Sequence, residues 1–322
     1  DVTEADLAAH LYDSLRTKIM TLPDDIIVYP NHGAGSACGK KMSKETFDTL
    51  GNQKKTNYAL RADMSKEEFI KEVLTGLMPA PQYFPNNVRM NKGINTPIDT
   101  ILEKGTTPLD AATFHEMAAQ KDVLVIDTRT VTAVLQEGTV PNAWYIGADG
   151  EFAPWVGTLV KDIQQKIIFI AEGGREHEIV TRFSRVGYDN VVGFLRGGMH
   201  AWVAAGFQVE RVNSVSAPQF AKQFLKGELS NVLDVRKESE YLSEHVVGVE
   251  NYPLDTIHAN IAALDSNKKY YVHCAGGYRS LMAATILKSY GIENVTNIEG
   301  GFNDIKDTGV SLTDYVCPTT FL

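Results

Sequence analysis

The fold of this chain is decided by residues 269–290, KYYVHCAGGYRSLMAATILKSY. Residues 270–272 are aromatic or β-branched, which is typical of a strand. Apolar side chains then recur at helical spacing, at positions 281, 284 and 287. The stretch therefore predicts a strand, a short loop that contains a cysteine, and a helix.

Residues 274–279, called the cysteine loop below, carry the candidate chemistry. Free backbone N–H groups at a helix start and in a glycine-containing turn point at one spot and would stabilise a thiolate there. We therefore predict Cys274 as the nucleophile, with Arg279 as a fixed positive charge. An inert, buried cysteine is the alternative. The other residues expected to contact substrate are Ala275, Gly276, Gly277, Tyr278 and Ser280.

Composition narrows the class of protein. The 322 residues are 43% hydrophobic and 22% charged, with a formal net charge of -9, which argues against a general nucleic-acid binder. No apolar run approaches the roughly 20 residues that span a bilayer. The three widely separated cysteines fit a reducing, cytoplasmic setting. We expect small-molecule partners rather than nucleic acid or membrane, and a homodimer is compatible with the sequence.

The N-terminal 75 residues suggest a separate segment. A helix over 4–20, a buried strand over 25–29 and helices over 44–50 and 65–75 are predicted from local patterns. His32 follows the strand directly, a position that can present an imidazole to a metal, and Cys38 lies in the same glycine-rich loop. A hydrogen-bonded loop histidine is the alternative. Residues 76–107 contain several prolines and little periodicity, which predicts a linker.

From residue 108 onward the chain repeats itself. Asp127 and Asp234, in matching strand patterns, are 107 residues apart, and Gly173 and Gly276 are 103 apart. Within each copy, short apolar runs alternate with helical patterns. We therefore predict an α/β fold with two tandem domains, 108–212 and 213–322, each a small, mainly parallel sheet covered by helices.

The two copies differ where the chemistry is expected. Alignment on the paired glycines places Ala171 opposite Cys274 and Glu176 opposite Arg279. The first copy lacks both chemical groups, so we predict that it is catalytically inactive and serves packing, positioning or contact with the N-terminal segment. Its loop contains Glu172, Arg175, Glu176 and His177, which we expect to form a solvated charged loop; a different activity there is the alternative.

The repeated pattern resembles the rhodanese family of sulfurtransferases over about residues 108–315. The motifs that carry the resemblance are Asp234-Val235-Arg236, Glu240-Tyr241, Cys274 to Arg279 and Glu299-Gly300-Gly301. It implies that Cys274 takes a sulfane sulfur from thiosulfate or a small persulfide and passes it to a thiol, sulfite or cyanide. It also implies that Asp234 and Arg236 lie at the rim of the loop, where they contact substrate or brace the loop. A purely structural pair at the strand end is the alternative.

Two other functions remain open. A cysteine phosphatase has a similar signature, but four residues separate Cys274 from Arg279 here, whereas that signature has five. The shorter loop encloses a smaller volume, which favours a sulfur atom over a phosphate. A non-catalytic sulfur carrier or interaction scaffold is the other alternative.

The stretch from Tyr29 to Gly39 resembles the C-terminal part of a metallo-β-lactamase-fold domain of the persulfide dioxygenase and glyoxalase II kind. The resemblance implies that His32 is the last active-site histidine of that family, with Cys38 near the same cavity. A complete parent would then hold Fe(II) and join persulfide oxidation to sulfur transfer, which amounts to sulfide oxidation. The other ligands would lie upstream of Asp1, so we expect no cofactor and no stable metal in this chain.

Overall fold

The computed structural model describes residues 2–31, 46–75, 84–93 and 96–317. The chain divides into two compact units, residues 1–79 and residues 80–321. Within the described ranges, no helix is long and apolar enough to cross a membrane.

The first unit is built around a pair of packed helices. Tyr12 on the first helix lies edge-on to Phe69 on the last, with ring centroids 5.4 Å apart. A π-helical turn at Leu15–Ile19 extends the first helix, and a two-stranded antiparallel ribbon lies between the helices in sequence. The elements are α1 Glu4–Ser14, β1 Ile27–Val28, β2 Asp48–Thr49, α2 Leu50–Thr56 and α3 Lys66–Leu74.

Two local predictions in this unit are wrong. The strand expected to be buried is the exposed pair Ile27–Val28, with side chains 45% and 37% exposed; within the described ranges it pairs with β2 alone. The helix expected over 44–50 begins only at Leu50, because the Thr49 side chain caps it by accepting a hydrogen bond from Asn52 N at 3.2 Å.

The second unit begins with the first copy of the repeat, a five-stranded parallel sheet in the order β3-β7-β6-β4-β5. Helix α5 lies inside the predicted linker yet packs on α9, where Gly105 permits close approach to Val180. The elements are α4 Phe84–Asn91, α5 Ile98–Gly105, β3 Pro108–Leu109, α6 Ala111–Ala118, β4 Val123–Asp127, α7 Val131–Glu137, β5 Trp144–Tyr145, α8 Phe152–Leu159, β6 Lys166–Ile170, α9 Glu176–Ser184, β7 Val191–Leu195 and α10 Gly198–Ala204.

The second copy has the same topology, a five-stranded parallel sheet in the order β10-β9-β11-β12-β8. The elements are β8 Asn213–Val215, α11 Ala217–Phe224, β9 Val232–Asp234, α12 Glu238–Ser243, β10 Glu250–Asn251, α13 Ile257–Asn260, β11 Tyr270–His273, α14 Tyr278–Ser289, β12 Val295–Ile298 and α15 Gly301–Ile305. The prediction of two α/β domains with parallel sheets covered by helices is therefore confirmed.

Helix α14 is the most buried helix of the second copy. Every residue from 280 to 287 is buried, so the helix has no solvent-facing stripe. One side packs on its own sheet, and the other packs on β5 of the first copy, where Tyr145 N donates to Thr285 Oγ1 at 2.9 Å. Trp144 Nε1 donates to Ser289 Oγ at 2.8 Å near the helix end. One hydrophobic core thus runs through both copies.

Candidate active site

Cys274 lies at the carboxyl end of β11, the central strand of its sheet, and directly before α14. Its side chain is only 1% exposed. The backbone N–H of Gly277 donates to Cys274 Sγ across 3.1 Å, and Gly277 adopts a left-handed conformation with φ +99°. The loop therefore curls around the sulfur and directs the backbone donor of Gly277 at it.

The outer side of the cysteine loop is attached to α15. Phe302 N donates to the carbonyl of Cys274 at 2.7 Å, and Asn303 N donates to the carbonyl of Ala275 at 3.0 Å. Gly301 must be a glycine at this contact, because a Cβ there would collide with the Cys274 carbonyl and lie 2.8 Å from Ala275 O. The start of α15 thus fixes the backbone that carries the thiol.

Arg279 makes a bidentate ion pair with Glu240 of α12, with Nη1–Oε2 and Nη2–Oε1 distances of 2.6 and 2.8 Å. Burial opposes both charges, yet the hydrogen bonds between the pair prevail, so the pKa of Arg279 is raised and that of Glu240 is lowered. The Cys274 sulfur is close enough to favour the charged guanidinium further. Arg279 therefore clamps α12 to the cysteine loop and adds positive charge near the thiol.

Glu240 is a site residue that sequence reasoning did not assign. In the first copy its position is held by Ala133, and the position of Arg279 is held by Glu176. The signal was available, since both members of the ion pair change together between the two copies.

Asp234 and Arg236 form a buried ion pair beneath the loop. Arg236 Nη2 donates to Asp234 Oδ2 at 2.6 Å and to the carbonyl of Glu244 at 2.9 Å. The first copy has the same arrangement, with Arg129 Nη2 and Asp127 Oδ2 2.7 Å apart. The ion pair is therefore present both in the copy that has the cysteine and in the copy that has Ala171 in its place. In each copy the charged groups point at one another. This favours bracing over the alternative of substrate contact.

His273 precedes the nucleophile but is completely buried. Burial lowers the pKa of its imidazole, which is therefore neutral at pH 7. Nδ1 lies 3.3 Å from the carbonyl of Cys274 and, as a carbonyl can only accept, Nδ1 carries the proton. Nε2 is 3.9 Å from Asp234 Oδ2. His273 thus supports the loop from below.

The remaining residues predicted to contact substrate differ in their exposure and in their partners. Ala275 is half-buried and Gly276 is exposed at the lip of the loop, where a donor molecule would arrive. Ser280 is buried, and its hydroxyl donates to the carbonyl of Gly277 at 3.2 Å. The Tyr278 side chain leaves the loop and reaches the first copy. Ala275 and Gly276 therefore form the solvent-facing part of the loop.

The counterpart loop of the first copy, residues 171–176, has charged side chains in place of the thiol chemistry. Arg175 pairs with Asp149 at 2.8 Å and with Glu178 at 2.9 Å. Hydrogen bonding to Arg175 lowers the pKa of Glu178 to about 2. This network matches the charged loop expected from the sequence and provides no nucleophile.

The predicted metal-site residues belong to the N-terminal part of the chain, not to the cysteine loop. His32 and Cys38 fall outside the described residues. Among the residues that are described, no group of three or more His, Cys, Asp or Glu side chains is placed to hold a metal ion. The described residues therefore do not supply the donor set that iron would need.

Comparison with known proteins extends this picture. YrkF of Bacillus subtilis strain 168, named as a candidate sulfur carrier protein, is 34% identical over 112 residues, which cover 34% of this chain and 58% of YrkF. The thiosulfate sulfurtransferase PspE of Escherichia coli K12 is 39% identical over 75 residues, or 23% of this chain and 71% of PspE. The chain thus spans little more than half the length of YrkF.

Two solved structures are also similar. A rhodanese-like domain protein from Staphylococcus aureus matches 32% of this chain over its own full length, with 27% identity and a TM-score of 0.30. A metallo-beta-lactamase from Staphylococcus aureus COL matches over 61% of this chain and 52% of its own, with 23% identity and a TM-score of 0.43.

The sequence profile of the rhodanese-like domain matches residues 110–205 and 216–308, which together make up more than half of the chain. These two matches fall on the two parallel-sheet copies, and the second contains the cysteine loop. The chain belongs to the rhodanese-like domain family and carries two copies of that domain in tandem.

Proposed function

We propose that this protein is a sulfurtransferase that carries a sulfane sulfur on Cys274. The observation that carries the proposal is the backbone donor of Gly277, 3.1 Å from Cys274 Sγ inside a short, closed loop. Such donors stabilise negative charge on sulfur both before and after a second sulfur is attached. Sulfur transfer in general is supported by the family and by the similarity to PspE.

The first step loads the enzyme. The Cys274 thiolate attacks the outer sulfur of thiosulfate and forms a new S–S bond. The original S–S bond of thiosulfate breaks, and sulfite leaves with its electron pair. The product is a Cys274 persulfide anion, which the N–H of Gly277 stabilises, with a smaller contribution from the paired charge of Arg279. A low-molecular-weight persulfide would react in the same way, with a thiolate as the leaving group.

The second step unloads the enzyme. An acceptor thiolate, sulfite or cyanide attacks the terminal sulfur, its bond to the acceptor forms, and the Cys274 thiolate departs with the electron pair of the broken S–S bond. No net oxidation occurs over the cycle. The reaction needs Cys274 as a thiol at the outset, which a reducing compartment such as the cytoplasm supplies.

Turnover with thiosulfate and cyanide tests the proposal through the formation of thiocyanate. We expect turnover by the wild type, loss to background in Cys274→Ser and retention in Cys317→Ser, the matched control at the other described cysteine. A wild type that turned over no donor, or a Cys274→Ser variant as active as the wild type, would refute the proposal. Hydrolysis of an aryl phosphate dependent on Cys274 would instead support a phosphatase.

A carrier function is the second candidate, and the name given to YrkF favours it. A carrier would accept one sulfur on Cys274 and release it only to a partner protein. Stoichiometric loading from thiosulfate without turnover by cyanide, sulfite or small thiols would identify this case.

We further propose that the first unit is the C-terminal part of a persulfide dioxygenase domain, so that the parent protein oxidises sulfide-derived persulfides. Only the resemblance around Tyr29 to Gly39 supports this. Iron analysis of the product of the complete gene, with oxygen consumption on glutathione persulfide, tests it. A product that bound no iron and consumed no oxygen would contradict it.

A further inference from the structure

The side chain of Tyr278 joins the cysteine loop to the first copy. Tyr278 Oη donates to the carbonyl of Gly147 at 2.7 Å. Its ring lies edge-on to Tyr145, with centroids 5.9 Å apart and planes at 78°. Burial raises the pKa of Tyr278, so the phenol stays protonated and remains a donor. A loop residue of one copy is thus seated in the other.

The Tyr278 ring packs against residues 147–150 of the first copy, which we call the tyrosine slot. Two of these residues, Gly147 and Gly150, lie against the ring. A Cβ on Gly150 would collide with the Tyr278 ring, at 2.6 Å from Cε1. A Cβ on Gly147 would lie 3.1 Å from Tyr278 Cε2 and 2.8 Å from Tyr145 Cζ. Neither glycine has a positive φ. Close side-chain approach rather than backbone conformation therefore favours glycine at both positions, from the Tyr278 ring at Gly150 and mainly from Tyr145 at Gly147.

Two arginines of the first copy hold this slot in place, Arg175 in the counterpart loop and Arg182 on α9. Arg175 pairs with Asp149 at 2.8 Å, and Arg182 Nη1 donates to the carbonyl of Ala148 at 2.7 Å. In the alignment of the two copies, Arg175 occupies the position of Tyr278. Arg175, the counterpart of Tyr278 in the first copy, therefore helps to hold the slot into which Tyr278 packs.

We propose that Tyr278 is a positioning residue for the cysteine loop and that the tyrosine slot of the first copy sets its position. This rests on the proposed function only in taking Cys274 as the reactive group. Tyr278 directly follows Gly277, whose N–H donates to the Cys274 sulfur, so a fixed Tyr278 side chain holds the end of the loop next to the residue that carries this donor. Displacement by about 1 Å can slow a reaction about 100-fold.

The test compares three variants of the whole chain. Tyr278→Phe removes the hydrogen bond to Gly147, and Gly150→Ala closes the slot. Ser289→Ala is the matched control, since it removes a hydrogen bond between the copies at the other end of α14. The readouts are the rate at which iodoacetamide alkylates Cys274, the rate and half-saturating concentration for sulfur loading from thiosulfate, and thermal melting.

We expect Tyr278→Phe to slow alkylation and the maximal loading rate about five- to tenfold, with the half-saturating thiosulfate concentration unchanged. Gly150→Ala should slow both by up to about 100-fold. Ser289→Ala should stay within about twofold of the wild type.

Wild-type alkylation rates in folded Tyr278→Phe and Gly150→Ala proteins would overturn the proposal, as would equal slowing in Ser289→Ala. If Gly150→Ala does not fold, Tyr278→Phe decides alone. Alkylation does not depend on sulfur transfer. A wild type that accepts no sulfur, with alkylation still slowed in Tyr278→Phe, would refute the sulfurtransferase function and leave the positioning role standing.

Discussion

The charge of Arg279, although near the thiol, stabilises the structure of the cysteine loop more than it binds substrate. Both oxygens of Glu240 lie within 2.8 Å of its guanidinium, and the two side chains are 17% and 34% exposed. A cation already paired attracts an anionic donor only weakly. We therefore assign Arg279 mainly to holding α12 against the cysteine loop.

A double-mutant cycle on this ion pair measures that role. Glu240→Gln and Arg279→Gln should each lower stability by about 1–3 kcal/mol, since each leaves a partly buried charge without its partner. The double variant should lose less than the sum of the two, with a coupling of about 1 kcal/mol. Chemical denaturation measures the loss of stability in each variant and hence the coupling energy. The rate of sulfur loading on Cys274 measures the effect on the cysteine loop. Strictly additive losses would show that the pair does not clamp the loop.

The sequence predicts a site residue when its chemistry is encoded locally. Cys274 could be predicted because a strand pattern, two glycines and a helix pattern surround it within a few residues. Glu240, 39 residues away from Arg279, and the first-copy slot for Tyr278, 131 residues away, depend on tertiary contacts that no local pattern records.

At the scale of elements, the cysteine loop depends on the helix that follows the next strand. The start of α15 donates two backbone hydrogen bonds to the loop, and Gly301 allows the close approach that these bonds need. Its φ of +57° adds a second reason for glycine. Gly301 of the paired glycine motif therefore serves the site through the backbone of the cysteine loop.

Gly301→Ala tests this dependence. The added methyl group would collide with the carbonyl of Cys274, so we expect a loss of about 2–4 kcal/mol in unfolding free energy and a slower reaction at Cys274. Gly291→Ala is the control, because Gly291 has a φ of +85° but nothing within 4 Å of a Cβ. The unfolding free energy of both variants is measured by denaturant unfolding. Equal losses would mean that backbone strain alone, and not the collision with the Cys274 carbonyl, causes the loss in Gly301→Ala.

Elements were predictable where the pattern is long and repeated. The tandem repeat predicts two domains of strands alternating with helices, and the structure has that order twice. The short ribbon of the first unit was not predictable in detail. Ile27 and Val28 are apolar yet exposed, and among the described residues their two-residue strand has a single partner, so apolar composition alone did not indicate burial here.

At the scale of the whole second unit, the first copy buries the helix that begins at the active site. Helix α14 is apolar on both sides, and β5 covers the side that its own sheet leaves open. His258 belongs to this interface, stacked on Trp144 with ring centroids 5.2 Å apart. Its Nε2 donates to the carbonyl of Leu159 at 2.9 Å, and Tyr290 Oη, 3.3 Å from Nδ1, can donate back. The neutral imidazole fits this setting.

The stability of the unit should consequently depend on pH. Burial lowers the pKa of both His258 and His273, with Lys161 and Arg236 acting in the same direction. The unfolded chain then binds these protons more tightly than the folded protein. Stability should be full above the ordinary histidine pKa of 6.5 and should fall as the pH drops below it.

Thermal melting at about pH 7.5 and about pH 5.5 measures this dependence. We expect the wild type to lose at least a few degrees on acidification, and His258→Gln to lose about 2 °C less, because one titrating group is gone. The exposed His200 provides the control, and His200→Gln should behave as the wild type does. A wild-type melting temperature that rose on acidification would contradict the assignment of neutral, buried histidines.

The intact mass of the protein after incubation with thiosulfate tests the central claim most directly. We predict that the wild type and Cys317→Ser gain about 32 Da, one sulfur atom, and that a reducing thiol removes it. Cys274→Ser should gain nothing. An unchanged mass in the wild type, or an equal gain in Cys274→Ser, would contradict the assignment of Cys274 as the sulfur-carrying residue.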